Sequence, residues 1–419
     1  MISKSEILKS EMTSQSLSKP TTADSYDRRI ALFTIAWTLA AIILIVLTWR
    51  LWTGAAEFPQ IPLLESLIRA PLIADWVALV VLLLSVLFLL SASLLQIFNT
   101  NQSLHGSASR IAAAIFSASI LCLFLLNQHR LQPWAWQFFL YAALLLLAKR
   151  SDEVITSARW VTASIYFFSA ISKFDYQFIY GLGGQLARPL AEIVGVEASG
   201  WMSFMAVMMP IFELLVAVLL IVGRTRKTGV VLAAVFHIAL IITLGPWGLD
   251  HHTGVLIWNL FFFAITAILF WPTIAEKNDS ATGGRDALMF AATLAMVLYP
   301  LLPHCDHWLA WGLYSPNNSR CDFEVVGQNE EGETVFQRVD LNAMSLEQLN
   351  VPLYPSARFQ LGVAQAIKEK DNLGSRSRII IKSKSRRFSG LRESTIFRAD
   401  GQWNQNQRQF LFNWKPRRK

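Results

Sequence analysis

Charge is what this sequence has least of. Asp, Glu, Lys and Arg make up 16% of its 419 residues, against about 25% in a soluble domain. With 53% hydrophobic residues, that shortfall excludes an ordinary soluble protein. Cysteine is scarce as well. There are three, none of them in a CxxC pair, which excludes a stand-alone disulfide oxidoreductase. No Walker, Rossmann, zinc-finger or nucleophile-elbow pattern is present, and no repeat of fixed period. No basic-then-apolar leader precedes the first apolar block. The first helix is therefore expected to be an uncleaved anchor.

What is present is apolar sequence in long blocks. A block of about 18 or more residues with few charges reads as a membrane-crossing helix. Nine qualify as candidates, at about 30–49, 76–98, 111–127, 133–148, 160–180, 201–222, 229–245, 254–271 and 286–302. The fourth is short and the fifth is polar. Lys and Arg in the intervening loops are asymmetric: 14 lie on the side of the N-terminus and five on the other. That bias places a hydrophilic, disordered segment 1–29 in the cytoplasm. With nine crossings, residues 303–419 lie outside the cell membrane.

This tail carries 18 Lys and Arg against 12 Asp and Glu, a basic face suited to solvent or to anionic headgroups. Outside the membrane it has no nucleic acid to meet. The alternating runs 320–326 (RCDFEVV) and 378–384 (RIIIKSK) read as strands, with turns expected at 329–332 and 400–401 and a helix over 357–370. The final KPRRK reads as a disordered tip. The expected fold is thus an all-α polytopic membrane bundle of about nine helices, with a small extracytoplasmic α+β domain. The lipid bilayer is its first partner, and other membrane proteins are possible ones.

The polar fifth block raises the functional question. In YFFSAISKFDYQF (166–178), a continuous helix would place Tyr166, Ser169, Ser172, Lys173, Tyr176, Gln177 and Tyr180 on one face. Two following blocks each carry one ionisable residue, Glu213 and His237. A charge at the bilayer centre costs about 2.5–3.5 kcal/mol, so such residues face a cavity, a partner or one another. A desolvated lysine also becomes a base near neutral pH. On this reading Lys173, Glu213 and His237 are candidate catalytic residues, and Tyr166, Ser169, Tyr176 and Gln177 line a cofactor site. Two simpler readings stay open. Lys173 could snorkel from a helix end, and Glu213 and His237 could be a hydrogen-bonded pair locking two helices.

The residues Tyr166, Phe167, Ser169, Ala170, Lys173, Phe174, Asp175, Phe178 and Gly181 resemble the conserved helix of the HTTM family, which includes the vitamin K-dependent gamma-carboxylases. Glu213, the turn Gly223-Arg224-Thr225-Arg226 and Phe236-His237 are similar to a second part of that pattern. The resemblance implies a reduced quinone as cofactor, with Lys173 as the base that deprotonates it. Family carboxylases carry a larger extracytoplasmic region than the 117 residues found here. The run SAISKFD also resembles the DoxX and MauE membrane families, which implies an accessory or scaffold protein for redox processes.

Six of the seven histidines lie off the apolar blocks. His251, His252, His304 and His307 are weak candidates for a metal, because adjacent histidines are not a standard ligand spacing and such residues often decorate a helix mouth. Cys305 and Cys321 flank WLAWGLYSPNNSR and could form a disulfide in an oxidising compartment. Within that run Trp308, Trp311 and Tyr314 recur at helical spacing, which suits an amphipathic interfacial segment.

Overall fold

The computed structural model describes residues 22–98, 106–195, 201–272, 286–303, 305–328, 332–397 and 410–418. Eleven helices of 12 or more residues and four strands dominate the described residues. The helices are α1 (Thr22–Leu47), a short α2 (Trp49–Thr53), α3 (Ile73–Phe98), α4 (Ser107–Leu126), α5 (Pro133–Leu147), α6 (Ser151–Lys173), α7 (Gly183–Val194), α8 (Met202–Ile221), α9 (Arg226–Leu244), α10 (Thr253–Phe270) and α11 (Ala287–Leu298). Beyond them come β1 (Arg320–Gln328), β2 (Thr334–Val339), α12 (Leu341–Leu349), α13 (Ala357–Lys370), β3 (Ser377–Lys382) and β4 (Ser394–Phe397).

Seven helices among the described residues are long and apolar enough to cross a membrane: α1, α3, α4, α6, α8, α9 and α10. The other two expected crossings fall on shorter apolar helices, Pro133–Leu147 and Ala287–Leu301. At about 1.5 Å per residue such helices reach only part of a hydrocarbon core some 30 Å thick. The protein is a multi-pass membrane protein by this measure.

Polar groups tie the bundle at each end. At the N-terminal end, Arg29 Nη2 donates to Trp271 O at 2.7 Å and Gln96 Nε2 to Asp27 O at 3.2 Å. Arg159 Nε donates to Leu269 O at 2.6 Å, and Lys149 pairs with Asp286 at 2.6 Å. At the opposite end the C-terminal domain closes over the helix ends. Asn350 Nδ2 donates to Leu47 O at 3.1 Å, and Ser315 Oγ to Ser172 O at 2.7 Å.

The domain is an antiparallel sheet of order β2-β1-β3-β4 with α13 packed on β1 and β3. Phe323 stands opposite Val339 on one side and Ile379 on the other, and Phe323 and Ile379 are buried together. The expected strands and the helix over 357–370 are found. β2, α12 and β4 were not expected: Thr334–Val339 is largely exposed and lacks a clean inward alternation. Of the two expected turns, 400–401 and most of 329–332 lie outside the described residues.

Two expectations for the tail are corrected. The end of the chain is not a free tip. Asn413 donates to Pro62 O at 2.9 Å, and Arg417 inserts its guanidinium 2.7 Å from the buried carboxylate of Asp75. Asp75 in turn meets Arg130 at 2.6 Å. The tip is held because a buried carboxylate between two guanidiniums is compensated, whereas alone it would pay its full desolvation cost. The Trp308–Tyr314 run is not a helix either. It is a series of turns in which Trp311 and Tyr314 both take left-handed backbone conformations (φ 57° and 56°).

Candidate functional site

The site forms where α6, α8, α9 and α10 meet below the C-terminal domain. α6 begins earlier than its apolar block because Glu153 Oε2 accepts the amides of Lys149 and Arg150, closing a capping box at the N-terminus. It ends at Lys173 because Asp175 bends the chain: its Oδ1 accepts the Gln177 amide at 2.9 Å. This ending corrects the stripe. Tyr176, Gln177 and Tyr180 lie beyond the helix, and neither Tyr176 nor Gln177 lines the cavity. Gln177 instead donates to Gly390 O at 2.8 Å and accepts from Arg392 Nη2 at 2.9 Å, while Tyr176 is exposed.

Lys173 is the last residue of the helix, yet it does not snorkel. Helical side chains lean toward the N-terminus, and Nζ reaches back into the bundle. It donates to Ser169 Oγ at 2.6 Å, to Ser169 O at 3.2 Å and to Glu213 Oε2 at 2.7 Å. Both side chains of the ion pair are only 7% exposed. All three ammonium protons therefore have acceptors, and the pair satisfies itself within the span.

His237 does not pair with Glu213. Asn259 Nδ2 donates to Val255 O at 2.8 Å, which leaves its Oδ1 as the acceptor for His237 Nδ1–H at 3.0 Å. His237 Nε2 then accepts from the Tyr166 hydroxyl at 2.6 Å, and Tyr166 accepts from Thr266 at 3.1 Å. A relay Thr266–Tyr166–His237–Asn259 thus runs across α10, α6 and α9. The His237 ring also stacks on Phe262, with centroids 5.2 Å apart.

Both clusters open on one cavity of about 60 Å³. Tyr166, Ser169, Lys173, Glu213, His237 and Asn259 line it, and Leu186, Phe236, Leu240, Phe262, Leu313 and Tyr314 supply apolar walls. The space suits a few waters or a small polar group. Ligand pockets are typically about 300–1,000 Å³, so a ring-bearing cofactor would need a wall to move. Five of the seven residues singled out for the catalytic and cofactor roles meet here. Asn259, Thr266 and Tyr314 were missed. A lone Asn inside TGVLIWNLFFF was a visible signal for the first; nothing local distinguished Thr266, and Tyr314 was read as part of an interfacial segment.

The outward histidines do not converge. Among the described residues no group of three or more His, Cys, Asp or Glu could hold a metal ion. His307 Nε2 bonds Ser315 O at 2.8 Å, the His251 ring lies tilted beside Tyr314, and His252 occupies the N-cap position of α10 without a side-chain capping bond. His304 lies outside the described residues. Cys305 and Cys321 are free thiols and do not form the disulfide that their placing allowed. Cys321 is buried on the sheet, its amide donating to Gln360 Oε1 at 2.8 Å, whereas Cys305 is half-buried in the linker. Burial pushes both thiols up, Cys305 to about 12. No family model, no curated protein and no solved structure matches this chain.

Proposed function

We propose that this is a membrane protein of HTTM-like character, lying in the cell (inner) membrane with its N-terminus cytoplasmic and its C-terminal domain outside. Its buried polar chamber receives the polar head of an apolar, quinone-like cofactor. The observation that carries the reading is the Lys173–Glu213 pair, set at 2.7 Å within membrane helices and beside a cavity that also exposes Tyr166 and His237. Such ionisable groups inside a span are functional by default.

The donor set fits a ligand with an oxygen-bearing head and an apolar body, because the polar atoms share a chamber with Phe236, Leu240 and Phe262. The closed volume does not yet admit it; Leu313 and Tyr314 form the wall that comes from outside the helices. A reduced quinone, when bound, would supply an acidic hydroxyl. Lys173 Nζ can hold a proton while Glu213 stays ionised, or be free to accept one when its proton passes to Glu213 Oε2. The Tyr166–His237 relay orients the chamber and holds His237 in one tautomer.

A second reading is favoured by the saturation of the pair. All three Lys173 protons are satisfied and the cavity is small, which also suits a DoxX- or MauE-like accessory protein whose polar residues only lock helices. The test is extraction and mass analysis of lipids that co-purify with the wild type, with Lys173→Met and with Lys173→Met/Glu213→Gln, which leaves no unpaired charge. A quinone kept by the wild type and lost from both folded variants supports the cofactor site. No quinone in any of the three supports the accessory reading.

A further inference from the structure

The C-terminal domain carries an apolar tip that none of the described residues covers. Between β3 and β4 the chain turns through KSRRFSGLR. Gly390 N donates to Arg386 O at 2.8 Å, Arg386 N to Leu391 O at 2.8 Å and Ser383 N to Glu393 O at 2.9 Å. The turn needs a glycine, since Gly390 has φ +66° and any Cβ there would lie 2.7 Å from the Tyr176 ring. At the tip, Phe388 is 90% exposed and Leu391 64%. Exposing two large apolar side chains on a tight, hydrogen-bonded turn is unfavourable in water.

The turn is stapled to the end of a membrane helix. Tyr176 N donates to Arg387 O at 2.8 Å, and Gln177 and Arg392 add the side-chain bonds already described. Tyr176 follows Lys173, the last residue of α6, by three positions. The Tyr176 and Tyr180 rings pack at a tilt, 4.7 Å apart, and both are exposed, as aromatic residues at a membrane–water boundary are. α7, which follows, packs Leu186, Ala187 and Ala191 against the protein and turns Gln185, Arg188, Glu192 and the apolar Ile193 outward. The turn therefore stands at the height where hydrocarbon gives way to headgroups. Three of its other exposed side chains are basic. Lys384, Arg386 and Arg387 are exposed; Arg386 lies 3.5 Å from Glu393, and Arg387 is close enough to the Asp175 carboxylate to favour its charged form.

We propose that residues Ser383–Glu393 form a lipid-binding site. Phe388 and Leu391 enter the acyl–headgroup boundary, and Lys384, Arg386 and Arg387 meet the phosphates of anionic phospholipids. Apolar insertion and basic attraction reinforce each other in such anchors. The occupant is the bilayer because the aromatic pair of the membrane boundary continues directly into the turn. This inference does not depend on what the buried chamber binds.

The experiment uses the full chain in nanodiscs of phosphatidylcholine, with or without phosphatidylglycerol. An environment-sensitive fluorophore is attached at Ser389→Cys, in a background with Cys122 and Cys305 replaced. A control label sits at Glu369→Cys, on the exposed face of α13. Nitroxide-bearing lipids should quench the Ser389 label and leave the control bright. Phe388→Asp should abolish that quenching, and the triple change of Lys384, Arg386 and Arg387 to Gln should remove its increase with phosphatidylglycerol. A Ser389 label as bright as the control overturns the site. So does a label shielded from water yet out of reach of the nitroxide-bearing lipids, which points to a second protein. Quenching indifferent to phosphatidylglycerol and to the triple change overturns the headgroup assignment.

Discussion

At the scale of the residue, burial and pairing decide which side chains matter. Lys173 and Glu213 compensate each other, so removing one leaves an unmatched buried charge. Lys173→Met alone is expected to cost about 3–5 kcal/mol, and Lys173→Met/Glu213→Gln to recover most of the loss. Thermal unfolding in detergent reads both. The Asp75 cluster predicts an order. Asp75→Ala leaves two guanidiniums facing each other, whereas Arg417→Ala leaves a neutral Asp75–Arg130 pair at 2.6 Å. Asp75→Ala should therefore lower the melting temperature more than Arg417→Ala, and equal effects would show that the cluster does not act as a unit.

Buried histidines outside the membrane spans, His129 and His307 among them, set a pH dependence. Burial lowers His129 and His307 from 6.5 to about 4. Each donates from Nε2 to a carbonyl, Pro352 O at 3.0 Å and Ser315 O at 2.8 Å. Between those pKa values the unfolded chain binds more protons than the folded one. Stability is then full above about pH 6.5 and declines as the pH falls toward 4, by at most about 1.4 kcal/mol per pH unit for each histidine. The melting temperature should fall between pH 7 and pH 5, and His129→Gln should flatten that slope.

At the scale of the element, termini carried information that periodicity did not. The polar stripe of the fifth block is regular through Tyr180, but Asp175 turns the chain two residues after Lys173. A residue's face is defined only while the helix lasts, so Tyr166, Ser169 and Lys173 share the chamber and Tyr176 and Gln177 do not. The C-terminal strap, residues 410–418, makes a separate prediction. A Cβ at Gly362 would lie 2.2 Å from the backbone oxygen of Trp414. Gly362→Ala should push the strap off α13 and destabilise the protein in the same direction as Arg417→Ala. Limited proteolysis near the C-terminus, faster in the variant than in the wild type, checks it.

At the scale of the whole molecule, the termini of the described chain lie at opposite ends of the bundle. A single cysteine at Asp152 and another at Glu369 should therefore react with an impermeant thiol reagent from opposite sides of sealed vesicles, in a background lacking the native cysteines. Labelling from the same side would remove an odd number of crossings and with it the external placing of the domain. Composition and block length were enough for the membrane character, because transfer of apolar side chains from water is additive along a sequence. Glu213 and His237 were visible as costly intrusions into apolar blocks, for the same reason. Their partners were not. That Glu213 meets Lys173 while His237 meets Tyr166 and Asn259, that Asp75 lies between Arg130 and Arg417, and that two cysteines 16 positions apart stay unpaired are matters of distance between segments far apart in sequence. Pairing energies depend on that separation and on the water excluded around it, and only the packed tertiary structure sets either.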